Sequence, residues 1–332
     1  MKLRTAAALG LVSVLALAGC GSGGGSGGGL SNSDNRGETS GDYPAGPVEL
    51  IVPFDPGGGA DFTGRTIAQF LEPEVGESVT VVNVPGAGGQ IGATQLSTIR
   101  PDGQSIGLMS AGILTTLPVT RETEYDLESF EVIGKVAVSR QVLQIQADSP
   151  WKSVEDLVAY AKDNPGKLTY GTSGVASTAH LAMAMFLQEA GIEAEHVVYD
   201  GLGSAKTDLM GGNIDAVIGP VTDSDESRIR PLVSFSAERG ATSQAIPLLA
   251  DSGYHTSMDV VHYLVAPTGT PEPTLDFLEG ALKAASESPE TANAFGSSEL
   301  EISFGDRESS AAQLTQYEEL TIKVVHDLGI QE

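Results

Sequence analysis

The chain predicts an α/β fold, on three observations. Short β-branched apolar runs alternate with segments of helical period, glycine-rich turns separate them, and the order strand, glycine-rich loop, helix recurs at four places. Val48-Glu49-Leu50-Ile51-Val52 reads as a buried strand. Pro53-Phe54-Asp55-Pro56-Gly57-Gly58-Gly59-Ala60-Asp61 then leads into a helix with Phe62, Ile67, Phe70 and Leu71 along one side and Asp61 as N-cap. Residues 79–84 form the second strand, followed by Pro85-Gly86-Ala87-Gly88-Gly89 and a helix through Ile91 and Leu96. Leu168-Thr169-Tyr170 runs into Gly171-Thr172-Ser173-Gly174-Val175-Ala176-Ser177-Thr178 and a helix carrying Leu181, Met185 and Phe186. Val197-Val198-Tyr199 runs into Asp200-Gly201-Leu202-Gly203-Ser204 and a short helix that Gly211-Gly212 stops.

Each junction offers the same chemistry. Glycine leaves the backbone open to close approach, first-turn N–H groups have no acceptor within the helix, and the helix dipole adds partial positive charge there. An anion can be held this way without arginine. Glycine also serves βα turns for their geometry alone, so one such loop is ambiguous; four of them, two in each half of the chain, favour a site.

Ahead of the folded body lie Lys2 and Arg4, an apolar run from Ala6 to Ala18, and Leu17-Ala18-Gly19-Cys20. This is the pattern of a secretory signal whose cleavage leaves a cysteine at the new N-terminus, as in bacterial lipoproteins, where that thiol carries a diacylglycerol. An uncleaved anchor is the alternative reading. The expected organisation is a signal peptide over 1–19 and a lipidated Cys20 with a flexible Gly/Ser tether over 20–43. The tether reaches roughly 25–30 Å. Cys20 is the single cysteine, so no intramolecular disulfide forms. The formal charge of −26 becomes −28 when Lys2 and Arg4 leave with the signal. Such acidity argues against nucleic acid and anionic lipid surfaces, and it makes long-range attraction of an anion unfavourable. About 285 residues remain for one large or two modest domains.

Other chemistries fail on spacing. Gly86-Ala87-Gly88-Gly89-Gln90-Ile91-Gly92 has one residue too many for a dinucleotide fingerprint, and no GxxxxGK[ST] or GxSxG motif occurs. The histidines 180, 196, 255, 262 and 326 make no zinc pattern, and Asp223-Ser224-Asp225-Glu226 lacks the glycine and distant glutamate of a calcium loop. No cofactor, metal or catalytic residue is expected. His180, two residues past Thr178, reads equally as a ligand contact or as a capping and packing histidine.

Ile51-Val52-Pro53-Phe54, Pro56-Gly57-Gly58-Gly59-Ala60-Asp61 and Arg65 closely resemble the opening motif of the Bug-type extracytoplasmic receptors of tripartite tricarboxylate transporters. The resemblance continues through 82–92, Pro101-Asp102-Gly103, 152–157, 164–168, Ser173-Gly174, Ser177, His180-Leu181, Gly211-Gly212 with Asp215, and 266–271. It covers the chain from about residue 44 onward. It implies a two-lobed, type II periplasmic-binding-protein-like fold, each lobe a mostly parallel sheet flanked by helices, with the ligand cleft at the hinge. Lobe 1 would comprise 44–140 and 261–332, and lobe 2 141–260, with crossings near 138–143 and 260–264. The C-terminal helices, from Pro273 and Ser309, would pack on lobe 1.

The resemblance further implies a ligand carboxylate held by backbone amides of the two facing loops. It assigns ligand contacts to Phe54, Gly57, Gly58, Gly59, Ala60, Asp61, Ala87, Gly88, Gly171, Thr172, Ser173, Gly174, Ser177, Thr178 and His180. Phe54 would be an apolar wall. Arg65, four residues past Asp61, reads as a structural ion-pair partner. The chain departs from the family at Ala184, where glutamate is common, at Asp200, where lysine is common, and at Asp55, where a small or apolar residue is usual. These changes favour a mono- or dicarboxylate over a tricarboxylate. The expected partners are that carboxylate, the large and small membrane subunits of a transporter, and the membrane through the lipid anchor; the protein itself is a monomer. A sensory receptor on the same scaffold, or an extracytoplasmic enzyme, remain the other readings.

Overall fold

A computed structural model describes residues 43–57, 59–199, 201–220, 227–240, 244–296 and 300–329. Cys20, its tether, Gly58 and Asp200 lie outside them.

In chain order the strands of the first half are β1 (Val48–Val52), β2 (Val79–Asn83), β3 (Ser105–Ser110) and β4 (Phe130–Ser139). They alternate with α1 (Gly59–Val75), α2 (Gln90–Thr98) and the short α3 (Leu117–Thr120). Then come β5 (Val142–Gln146), α4 (Val154–Asp163), β6 (Leu168–Thr172), α5 (Thr178–Ala190), β7 (Ala194–Val198), α6 (Leu202–Gly211), β8 (Ala216–Gly219) and β9 (Ile229–Ser234). The chain closes with β10 (Val260–Pro267), α7 (Glu272–Glu287), α8 (Pro289–Phe295), β11 (Leu300–Gly305) and α9 (Arg307–Leu328).

Two sheets result, ordered β11-β4-β10-β3-β1-β2 and β7-β6-β8-β5-β9, each flanked by helices. Alternation along β1 explains how one sheet serves two cores. Leu50 and Val52 join Ile67 and Leu71 of α1 and Leu278 and Leu282 of α7 on one face, whereas Ile51 meets Leu96, Met109 and Tyr263 on the other. In the second sheet, Leu143, Leu168 and Phe186 build the larger core, and Val217 and Ile229 meet Ala205 and Leu209 of α6 on the opposite side.

The sheets are more mixed than expected. The βαβ units give parallel pairs (β1 with β2 and β3, β6 with β7 and β8), but β4, β10 and β11 pair antiparallel in the first sheet, and β5 pairs antiparallel with β8 and β9 in the second. The reason is connectivity. β5 and β10, by which the chain enters each sheet from the other, run against the parallel strands, whereas β4 and β9, by which it leaves, run with them.

The chain leaves the first sheet through Arg140 and Gln141 and returns through 235–259, and these two passages are knit together. Phe235 N–H donates to the Gln141 carbonyl (2.8 Å), and Gln141 N–H donates to Asp259 Oδ1 (3.0 Å). The Ser236 hydroxyl donates to the same oxygen (2.7 Å), and Arg140 reaches Asp259 at 3.4 Å and Glu301 at 3.1 Å. Helix α9 extends beyond its expected place. Leu314 enters a core of the first sheet, but Val324 and Val325 enter the main core of the second. A helix of 22 residues is about 33 Å long, enough to lie across both. It starts at Arg307 with Asp306 as N-cap, whose carboxylate accepts from Ser309 N–H (2.7 Å).

Candidate functional site

A cavity of about 520 Å³ is walled by both sheets and their loops. From the first come Phe54, Gly88, Ser110 at the end of β3, and the segment beyond it with Gly112, Thr116, Thr120 and Arg121. From the second come Ser173, Gly174, Ser177 and Thr178, with Leu202, Gly219 and Pro220. Ser139 and Gln141 close it at the crossover. Helix α5 aims its N-terminus at this space. Ser177 caps it, accepting the His180 N–H (3.2 Å), so the two preceding helical N–H groups, of Thr178 and Ala179, have no intrahelical acceptor, and both residues line the cavity. Arg121 is the one charged side chain among the described lining residues; seven lining residues are serine or threonine.

The residues expected to bind ligand divide into two groups. Phe54, Gly88, Ser173, Gly174, Ser177 and Thr178 come together on the cavity. Gly57, Gly59, Ala60, Asp61, Ala87, Gly171, Thr172 and His180 do not line it, and Gly58 and Cys20 lie outside the described residues.

Asp61 shows why the first loop is placed differently. It is not the N-cap of α1 but lies in its first turn, 4% exposed. Its Oδ2 accepts Gly57 N–H (2.8 Å) and Arg65 Nε (3.0 Å), and its Oδ1 accepts Asn83 Nδ2 (3.0 Å). These bonds, Arg65 foremost, hold its pKa at about 2. A carboxylate of the protein's own therefore occupies the electropositive start of α1. Gly59 uses its carbonyl for the Thr63 hydroxyl, and Ala60 packs toward the core. Ala87 is exposed beside Gly88 with a positive φ of 48°. Gly171 is a packing glycine: a Cβ there would lie 2.8 Å from Ile214 and 2.9 Å from the Tyr199 ring. Thr172 and His180 are buried behind the second loop.

Sequence reasoning passed over the stretch from Ser110 to Arg121 and the crossover residues Ser139 and Gln141. The first did carry a signal. Ser110-Ala111-Gly112 is a fifth strand-to-helix junction, with hydroxyls at Thr115 and Thr116, but only one glycine marks it. A π-helical turn over Gly112–Thr116 follows β3, a distortion that recurs at functional sites. Arg121 sits at the end of α3, and no local pattern says which way it faces.

Two sheets joined by paired crossing segments, with a cleft between them, define a solute-binding protein of the two-lobed type. Comparison with known proteins narrows the class: residues 63–328 match the tripartite tricarboxylate transporter family receptor, and the chain belongs to that family. It is similar to protein BugT of Bordetella pertussis, with 30% identity over 267 residues, covering 76% of this chain and 80% of that protein. Among solved structures it resembles a TctC solute binding protein from Polaromonas (TM-score 0.76, 26% identity, 86% of this chain and 100% of that one). It also resembles the R. palustris protein Rpa4515 solved with adipate (TM-score 0.75, 28% identity, 87% and 99%).

Proposed function

We propose that this protein captures a small mono- or dicarboxylate outside the cytoplasmic membrane and delivers it to the large and small membrane subunits of a tripartite transporter. The observation that carries the reading is the cavity itself. The N-terminus of α5 and its Ser/Thr-rich turn face it from one sheet, and Arg121, its one charged side chain among the described residues, faces it from the other. A carboxylate meets helix-terminal N–H groups and hydroxyls at one wall, and the positive charge of Arg121 lies on the other. Phe54, Ile113 and Leu117 suit the carbon chain between. The adipate in Rpa4515 is the same kind of molecule.

Capture of this kind calls for closure of one sheet on the other about the crossings at Arg140–Gln141 and 235–259, with 44–140 and 261–332 as one lobe and 141–260 as the other. Attachment to the membrane would run through Cys20. A thermal-shift screen of mono-, di- and tricarboxylates, amino acids and neutral sugars, followed by calorimetry, tests the ligand class. Binding of a neutral or cationic solute with no carboxylate binding overturns it. Cys20→Ala should abolish lipid labelling and signal cleavage together; equal labelling of both proteins refutes the anchor.

A further inference from the structure

The turn over 172–177, which forms one wall of the cavity, is held in an uncommon shape. Ala176 has φ +57°, the left-handed region that L-residues other than glycine rarely adopt, and Gly174 has φ +147°. Two histidines behind the turn grip its ends. His180 Nδ1 accepts the Ala176 N–H at 3.0 Å. His196 Nε2 lies 2.7 Å from Thr172 Oγ1, which in turn lies 3.0 Å from the Gly174 carbonyl.

The proton positions follow from elementary bookkeeping of donors. A carbonyl can only accept, so Thr172 gives its one hydroxyl proton to Gly174, and His196 must donate to Thr172 from Nε2. His180 accepts at Nδ1, so its proton when neutral is on Nε2. The two imidazoles stack with centroids 4.0 Å apart and 15° between planes, and Tyr170 of β6 stacks on His196 at 5.0 Å.

We infer that His180 and His196 are positioning residues of the ligand site, holding the 172–177 turn so that Ser173, Ser177 and Thr178 face the cleft, and that His180 can do so only as a neutral ring. The inference rests on the reading of the cavity as the ligand site. A proton added to neutral His180 can enter only at Nδ1. That converts the acceptor into a donor aimed at the Ala176 N–H, and the turn is released. Among the described residues, the titratable rings stacked on the pair are each other and Tyr170, which burial keeps neutral. The causes acting on His180 are burial first and then His196, and on His196 burial alone, so no carboxylate of the described residues compensates a charge on either ring. His180 is accordingly held near a pKa of about 4.

Two variants separate positioning from mere packing. His180→Asn offers Oδ1 where Nδ1 stood, keeps an acceptor and cannot take a proton. His180→Leu keeps the bulk and loses the acceptor. Amide exchange of the segment containing Ala176 is measured in the ligand-free protein between pH 7 and pH 4, corrected for intrinsic rates, beside calorimetry with adipate; ligand protonation is common to all three proteins and cancels. Protection in the wild type should fall as the pH approaches 4. The Leu variant should show low protection throughout and bind adipate about five- to tenfold more weakly, the worth of one hydrogen bond. The Asn variant should restore both and flatten the pH profile. Wild-type protection and pH profile in the Leu variant, or an unaltered acid response in the Asn variant, overturn the inference. The expected exchange pattern in a protein that binds no adipate upholds the role of the histidines and refutes the choice of ligand.

Discussion

His262 gives the most quantitative test of how this fold treats its interior. It stands in β10 in register with Ser110 of β3 and Ala137 of β4, is 8% exposed, and its Nδ1 has no hydrogen-bond partner among the described residues. Burial lowers its pKa from 6.5 to about 4, so the ring is neutral in the folded protein. Because the folded-state value is depressed, the unfolded chain takes up the proton first as the pH falls. The stability this group contributes is complete above about pH 6.5, declines as the pH falls toward 4, and levels off below. At pH 5 the loss is about 2 kcal/mol, and His180, lowered to about 4 by burial and by His196, adds a similar amount. Together these are a large share of the roughly 5–15 kcal/mol that stabilises an ordinary domain. Replacing His262→Leu removes its term and leaves an apolar side chain of similar size. Urea titrations at pH 7.5 and 5.0 should show the stability gap between the two conditions narrowing by about 2 kcal/mol in the variant. An unchanged gap, or a His262 ring that titrates near 6.5 by NMR in the folded protein, would refute the reasoning.

Arg121→Gln should weaken a dicarboxylate such as adipate by about tenfold or more, the worth of a charge-assisted hydrogen bond, and hexanoate much less; calorimetry with both decides it, and equal losses would show that Arg121 does not read the second acid group. Asp61→Ala leaves Gly57 N–H, Asn83 and Arg65 without their shared acceptor, so denaturant titration should show a loss of about 1–3 kcal/mol, while the folded variant binds ligand as the wild type does. Loss of binding without loss of stability would return Asp61 to the ligand site. At Gly112 an added Cβ would lie 3.8 Å from Thr178 Oγ1 across the cleft, so Gly112→Leu should fit the fold and project into the cavity. Its thermal midpoint should change little and its affinity should fall at least about tenfold, on the order of 1.4 kcal/mol or more.

What could be read from the chain alone was local. The α/β alternation, the strand-loop-helix junctions at 52–59, 83–90, 172–178 and 198–202, and the left-handed Gly212 that ends α6 all follow from neighbours two to four residues apart. The turn before α5, which lines the cavity, was legible for the same reason: a helix N-terminus with small and hydroxyl residues announces itself in sequence. The rest depended on distant partners. Strand β10 fits between β3 and β4, more than 100 residues away in sequence, and with them it makes the sheet mixed. Nothing local states that Asp61 fills the start of α1 by turning back to Gly57 and across to Asn83, or that His180 faces the back of the turn it follows. Arg121 comes to the cavity wall, and α9 reaches two cores, only once the sheets are placed. Side-chain periodicity is a property of the backbone's own geometry, whereas which face meets which is decided by burial and hydrogen-bond satisfaction summed over the whole chain.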